Sequence, residues 1–454
     1  MTQEQHFLLY INIPYSAMRL SIYSYIFPNA SHFYLYNSEN SVLAEISELL
    51  YSQLYNRDFS SISQETFNSL KEKRIIVEEN EAYLFYHKVK MQFLSNAYNK
   101  EAISLVIVPY TGCNFACPYC FEEKKNPALI TEEIEDGIIS FLSTHPSAKD
   151  IDLTWYGGEP LIAFKNIKSL YTKIKNETTL NIGNHSIVTN GYLINSEILD
   201  FFKETHLRSM QITLDGIQEH HDQTRYLKHS KKGTFNKIIE NIHLVTEKLP
   251  DCHLSVRVNV DKNNADDFVI MLNDLYSHFD SPNFKVYPGF IREETKDKCS
   301  LCYQSIKADE TVHFYETLKE KGANVNFFPA KANKGCMINK LNSYIIGPNG
   351  EIYKCWNDVS NPDKIVGNIL EKEISNKILM SRYMMAVSPF EDYRCKECLL
   401  FPICSGGCGW YRYKNLFEKG EFDVCCQYRN KRDLETALIN SLEKTSSNQK
   451  EIQI

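Results

Sequence analysis

The chain has 454 residues, of which 43% are hydrophobic and 24% charged, the balance of a globular protein with room for more than one core. Its net charge of −7 argues against a broad nucleic-acid surface, and no apolar run is long enough to span a bilayer. The opening MTQEQHFLLY lacks a basic segment ahead of an apolar one, so the expected location is cytoplasmic.

Within residues 1–100, Phe33-Tyr34-Leu35-Tyr36 and Ala82 to Tyr86 read as strands. Val42 to Leu50 and Gln64 to Lys71 read as helices, with Ser63 as N-cap of the second. Strands flanking small helices predict a winged-helix-like module. A barrel cap with no partner of its own is the plainer alternative.

Residues 101–330 alternate apolar β-type runs with amphipathic helical stretches. Strands are expected at Ile103–Val108, Ile151–Trp155, Ser186–Thr189, Met210–Leu214, Leu254–Val260 and Phe284–Tyr287. Helices are expected at Thr131–Leu142, Phe164–Lys175, Ser196–Lys203, Phe235–Lys248 and Ala265–Phe279. Strands spaced by helices imply right-handed βαβ units, and six of them make an α/β fold of the partial (β/α)6 barrel type. In such barrels chemistry sits at the C-terminal ends of the strands.

Directly after the first of these strands comes Cys113-x3-Cys117-x2-Cys120. Three thiolates on one loop can hold three irons of a [4Fe–4S] cluster and leave the fourth iron open to a small molecule. An open iron can bind a cofactor and pass it an electron, which makes these cysteines catalytic candidates. A zinc site needs a fourth ligand, and neither Asn114 nor Tyr119 is a usual one. A disulfide framework needs an oxidising compartment.

The chain has fourteen cysteines. Cys252, Cys299 and Cys302 lie between that loop and a second thiol-rich region, Cys336 to Cys426, within residues 331–430. So loop-rich a stretch is expected to need metal to organise it. After Arg429 the period Leu434, Leu438, Leu442 predicts a C-terminal helix in residues 431–454, fraying after Thr445.

These residues resemble the radical S-adenosylmethionine (radical SAM) superfamily. The likeness extends to Trp155-Tyr156-Gly157-Gly158-Glu159-Pro160 after the second strand and Val188-Thr189-Asn190-Gly191 after the third. Ile212-Thr213-Leu214-Asp215-Gly216 follows as the fourth ends. The resemblance implies that Gly157 and Gly158 admit S-adenosylmethionine closely and that Glu159 accepts from its ammonium. It places Thr189 and Asn190 beside the cofactor, Tyr119 at the adenine, and Thr213 with Arg225 at the carboxylate. Arg257 is a second candidate for that last role.

The later cysteines resemble the SPASM extension of peptide-modifying members. The resemblance implies two auxiliary [4Fe–4S] clusters, three in all. Cys336, Cys355 and Cys408 would serve the first. Cys395, Cys398, Cys404 and one of Cys425 and Cys426 would serve the second, with Cys426 favoured by its spacing to the following helix. A zinc ribbon is the alternative for these cysteines. The first set lacks a fourth ligand just before Cys336; either Cys299 or Cys302 reaches in, or an iron stays open, or that pair has no role.

As implied by the resemblance, the open iron chelates S-adenosylmethionine, and one electron cleaves it to methionine and a 5′-deoxyadenosyl radical. The expected function is maturation of a ribosomal precursor peptide by thioether or carbon–carbon crosslinking. Its leader would bind residues 1–100 by strand addition, and a flavodoxin or ferredoxin would supply electrons. The alternative is an anaerobic sulfatase-maturating enzyme, which generates formylglycine. Those enzymes carry a catalytic aspartate directly after the cysteine matching Cys355, where this chain has Trp356, with Asp358 two residues on. A non-catalytic iron–sulfur electron carrier would not need the strand-end motifs.

Overall fold

The computed structural model describes residues 17–120, 126–291, 305–323, 325, 328–329 and 335–445. Cys299 and Cys302 lie outside the described residues.

The chain opens with β1 (Met18–Leu20) and an antiparallel meander of β2 (Ser24–Asn29), β3 (His32–Asn37) and β4 (Val42–Ile46). Then come α1 (Glu48–Tyr55), α2 (Gln64–Glu72), β5 (Ile76–Glu78), which pairs with β1, and α3 (Leu84–Ala97). Ser63 caps α2 as expected, its hydroxyl accepting from the Thr66 N–H at 3.2 Å. Two sequence readings fail. Val42–Leu50 is not one helix: pairing with β3 buries Ala44 and Ile46 and exposes Glu45 between them, a strand period. The helix starts only at Glu48, where the Ser47 hydroxyl caps it. Ala82–Tyr86 is not a strand either. Tyr86 and Val89 lie on the buried side of α3, packed against Phe390 and Phe401, and that packing overrides the β preference of an aromatic run.

The six strands and five helices expected in the middle of the chain are present, together with two helices the periodicity did not mark, Gln218–Thr224 and Thr311–Glu320. This stretch runs β6 (Ala102–Tyr110), α4 (Glu132–Leu142), β7 (Asp150–Gly157), α5 (Phe164–Glu177), β8 (Asn181–Thr189), α6 (Ser196–Glu204) and β9 (Ser209–Leu214). It continues with α7 (Gln218–Thr224), α8 (Phe235–Lys248), β10 (His253–Val260), α9 (Asp267–His278), β11 (Phe284–Phe290) and α10 (Thr311–Glu320). Strands β6 to β11 are parallel neighbours in sequence order, a sheet of the partial-barrel kind. Ile151, Leu153 and Trp155 of β7 and Leu254, Val256 and Val258 of β10 bury against the helices. The alternate positions, Thr154, Gln211, Thr213, Arg257 and Tyr287, are half-buried on the opposite face. One face is thus an apolar core and the other a polar interior.

The cysteine-rich region does not stand apart. Strand β12 (Ser343–Ile346) pairs in parallel with β6, and β13 (Glu351–Tyr353) and β14 (Gly367–Asn368) extend the same sheet. Ile345 and Tyr353 share a core with Val106 and Val108. The C-terminal helix, Lys431–Thr445, buries Leu434 and Leu438 as its period requires. They pack against Phe27, Tyr34 and Tyr36 of the meander, so the N-terminal sheet shares a core with the end of the chain. Among the described residues no helix is long and apolar enough to cross a membrane.

Candidate active site

The cysteine loop leaves β6 and is tied to the end of β7 and to the segment that follows α7. The Gly158 N–H donates to the Tyr110 carbonyl and the Glu159 N–H to the Gly112 carbonyl, at 3.2 and 3.0 Å. On the other side, Ala116 N–H donates to Tyr226 O and Lys228 N–H to Asn114 O. The first contact demands glycine. A Cβ on Gly158 would lie 2.2 Å from Gly112 O, and Gly157 sits at φ +133°.

Glu159 is fully buried and accepts three hydrogen bonds. They come from the Thr189 hydroxyl at 2.7 Å, the Leu161 N–H at 3.0 Å and the Asn190 N–H at 2.7 Å. Burial raises its pKa despite these donors. A carboxylate has about four lone-pair sites, so one acceptor position remains. The Asn190 amide reaches Asn114 Oδ1 at 2.8 Å and Cys113 Sγ at 3.8 Å.

A second buried network holds Arg225. Its Nη1 donates to the Tyr119 hydroxyl at 2.9 Å and lies 3.7 Å from Asp215. That hydroxyl donates in turn to Asp215 at 2.6 Å, and Asp215 also accepts from Thr224 Oγ1 and Asn259 Nδ2. Thr224 and Asn259 carry no motif signal in the sequence; only the fold brings them here. Thr213 and Arg257 are register partners on β9 and β10, so their side chains share a face, and Arg257 Nε donates to Asn259 Oδ1 at 3.0 Å.

Whether these residues suit a cluster and its cofactor is decided by the donors and by what is left unpaired. Burial pushes the Cys113 thiol up to about 12 and the Cys117 thiol up to about 11, so neither becomes a thiolate without a cation. Cys117 senses Cys120, and Cys113 senses Cys117. Among the described residues, Asn114 Nδ2 and Arg225 Nε are buried donors that meet no acceptor. A three-thiol loop beside two orphan donors suits a cluster with an anionic ligand on it. Among the described residues no three His, Cys, Asp or Glu side chains close around a single metal ion. The irons of a cubane take one thiolate each, so its ligands stand wider apart than those of one ion.

The later thiols fall into two neighbourhoods. Cys355 senses Cys336 and Cys408. Cys398 senses Cys404 and Cys425, and Cys426 donates toward Cys404, pulling the Cys404 thiol below its usual range. Cys395 also senses Cys404. Cys426 is half-buried, Cys425 exposed. Cys336 and Cys404 both open on a cavity of about 170 Å³ walled by Gln92 and Asn96 of α3. Asp358 is buried, with its oxygens taken by the Tyr383 hydroxyl at 2.5 Å and Trp410 Nε1 at 2.9 Å. Trp356 stands edge-on to Tyr156, ring centroids 4.4 Å apart, beside the Gly157 turn.

Residues 107–275 match the family model of the Radical SAM superfamily. The cysteine-type anaerobic sulfatase-maturating enzyme of Clostridium novyi (strain NT) is 27% identical over 360 residues, 72% of this chain and 93% of that one. Native anSMEcpe with bound AdoMet and Kp18Cys peptide superposes with a TM-score of 0.58 at 21% identity, covering 77% of this chain and 100% of that one. Streptococcus suis SuiB bound to S-adenosylmethionine gives a TM-score of 0.50 at 17% identity, over 90% of this chain and 99% of that one. At these identities the two structures show a shared fold.

Proposed function

We propose, from the match of residues 107–275 to the Radical SAM superfamily and the similarity to an anaerobic sulfatase maturase, that the protein is a maturase that crosslinks a ribosomally made precursor peptide, using the S-adenosylmethionine and [4Fe–4S] cluster that this family implies. Cys113, Cys117 and Cys120 would hold the cluster. Arg225, Thr213 and Arg257 would face the cofactor carboxylate, and the remaining acceptor site on Glu159 its ammonium. When bound, this pair supplies one-electron chemistry and hydrogen abstraction from carbon.

The chain's own residues orient and enclose. Asp215 and Tyr119 hold the Arg225 guanidinium, and Glu159 fixes the turns after β7 and β8. Phe115 of the loop is buried and packs edge-on against Tyr192, ring centroids 5.8 Å apart. Cys336, Cys355 and Cys408 on one side, and Cys395, Cys398, Cys404 and Cys426 on the other, are proposed as ligands of two auxiliary clusters. The leader of the peptide would add to an edge of the N-terminal meander, whose outer strands are β2 and β4. A flavodoxin or ferredoxin would deliver the electrons.

The observation that carries crosslinking over formylglycine formation is Asp358. The residue after Cys355 is a tryptophan, which takes no proton, and the nearest aspartate is buried and held by Tyr383 and Trp410. The similarity to the Clostridium novyi enzyme favours the second reading. Anaerobically reconstituted, reduced protein is incubated with S-adenosylmethionine and either a leader-bearing short precursor peptide, sought beside its gene, or a cysteine peptide from a sulfatase. Crosslinking predicts loss of a hydrogen pair from the first with sulfur retained. Loss of sulfur from the second, with an aldehyde formed, would establish formylglycine chemistry instead. Cys117→Ala should abolish 5′-deoxyadenosine release in either case.

A further inference from the structure

Arg412 lies on the helix Gly409–Phe417 and is buried, 8% exposed. Its guanidinium is fixed at every edge. Nη1 donates to Asp392 Oδ2 at 2.7 Å, Nε and Nη2 donate to the Gly406 carbonyl at 2.9 and 2.7 Å, and Nη2 also points at Cys395 Sγ at 3.4 Å. Both anchors belong to cysteine-bearing loops. Asp392 caps the short helix Tyr393–Lys396, which carries Cys395, by accepting from the Arg394 N–H. Gly406, at φ +87°, lies between Cys404 and Cys408. Only glycine fits there, because a Cβ would fall 2.0 Å from Pro389 Cβ.

We propose that Arg412 is a positioning and tuning residue for a cluster held through Cys395, setting its reduction potential by an N–H···S hydrogen bond and a buried positive charge. The proposal rests on the reading of Cys395, Cys398, Cys404 and Cys426 as ligands of one cluster. Hydrogen bonds to ligand sulfurs and nearby charge are among the factors that set such potentials. Reduction adds one electron, and the added negative charge spreads onto the thiolate sulfurs. A fixed cation beside one of them favours the reduced state. The ion pair with Asp392 cancels part of that charge, but the N–H aimed at sulfur remains. Lysine cannot reproduce the fork that serves carboxylate, carbonyl and sulfur together.

The test is an anaerobic redox titration with dithionite, followed by electron paramagnetic resonance, of the reconstituted protein and of Arg412→Met, Arg412→Lys and Cys395→Ala. In Arg412→Met one cluster signal should titrate at lower potential by at least about 59 mV, a tenfold change for one electron, while the others stay in place. Arg412→Lys should fall between, and it decides the matter if the methionine variant loses iron. Unchanged potentials in the variant that retains its iron overturn the role of Arg412. Wild-type iron and sulfide content in Cys395→Ala overturns instead the ligand reading beneath it.

Discussion

The Glu159 carboxylate accepts from the Asn190 backbone N–H at 2.7 Å, so a side chain as well as the sheet ladder joins the end of β7 to the end of β8. Both of its oxygens face donors. In Glu159→Gln the new amide must point its N–H groups at another donor and leave it unsatisfied. The expected cost is about 1–3 kcal/mol of stability. Anaerobic urea unfolding checks this, and the same variant should bind S-adenosylmethionine more weakly in equilibrium dialysis.

Gly158→Ala tests the contact between the turn and the cysteine loop. The added methyl meets Gly112 O at 2.2 Å and Thr111 O at 2.7 Å, both backbone atoms that cannot rotate away. The loop must shift. Cofactor affinity should fall at least about tenfold, about 1.4 kcal/mol, with iron content lowered at this cluster. Unchanged affinity would show the loop to be more pliant than its hydrogen bonds suggest.

His185 provides a pH dependence. Its Nε2 accepts from Trp155 Nε1 at 2.8 Å and burial pushes its pKa down to about 4, against about 6.5 in an unfolded chain. Between those values the unfolded chain holds a proton that the folded one does not, so stability is full above the window and falls as pH drops through it. From about pH 7 to about pH 5 the loss should approach 2 kcal/mol, at about 1.4 kcal/mol per unit. His185→Gln, which keeps an acceptor for Trp155, should be less stable near neutrality but lack that slope. Parallel urea-midpoint curves for the two proteins would contradict the assignment.

Leu438→Ala examines the shared core of the two chain ends. Leu438 is fully buried in the cluster with Phe27, Tyr34 and Tyr36. The change should cost about 2–5 kcal/mol and speed protease cleavage in the N-terminal meander, not only at the C-terminal helix. Cleavage confined to the helix would mean that the meander holds on without it.

The barrel strands and helices were legible because their patterns are local: period two in β7 and β10, 3.6 in α5 and α8, each with one face apolar. The cysteine loop, the glycine pair and Glu159 were legible for the same reason, each a short motif at a strand end. The Ala82–Tyr86 reading fails because the partners that decide it, Phe390 and Phe401, lie far along the chain, whereas Val42–Ile46 is a strand because it forms a hairpin with β3 only a few residues before it, a pairing its own composition does not announce.

What the amino-acid order determined by itself was the run of βα units, the spacing of the thiols and the family resemblance those carry. The tertiary structure alone decided that Asn259 and Thr224 join Asp215 around Arg225, that β12 extends the barrel sheet, and that Arg412 reaches Cys395. Hydrophobic periodicity is written in neighbouring residues, whereas a polar contact between distant loops exists only once burial has removed water and left each donor one acceptor within reach.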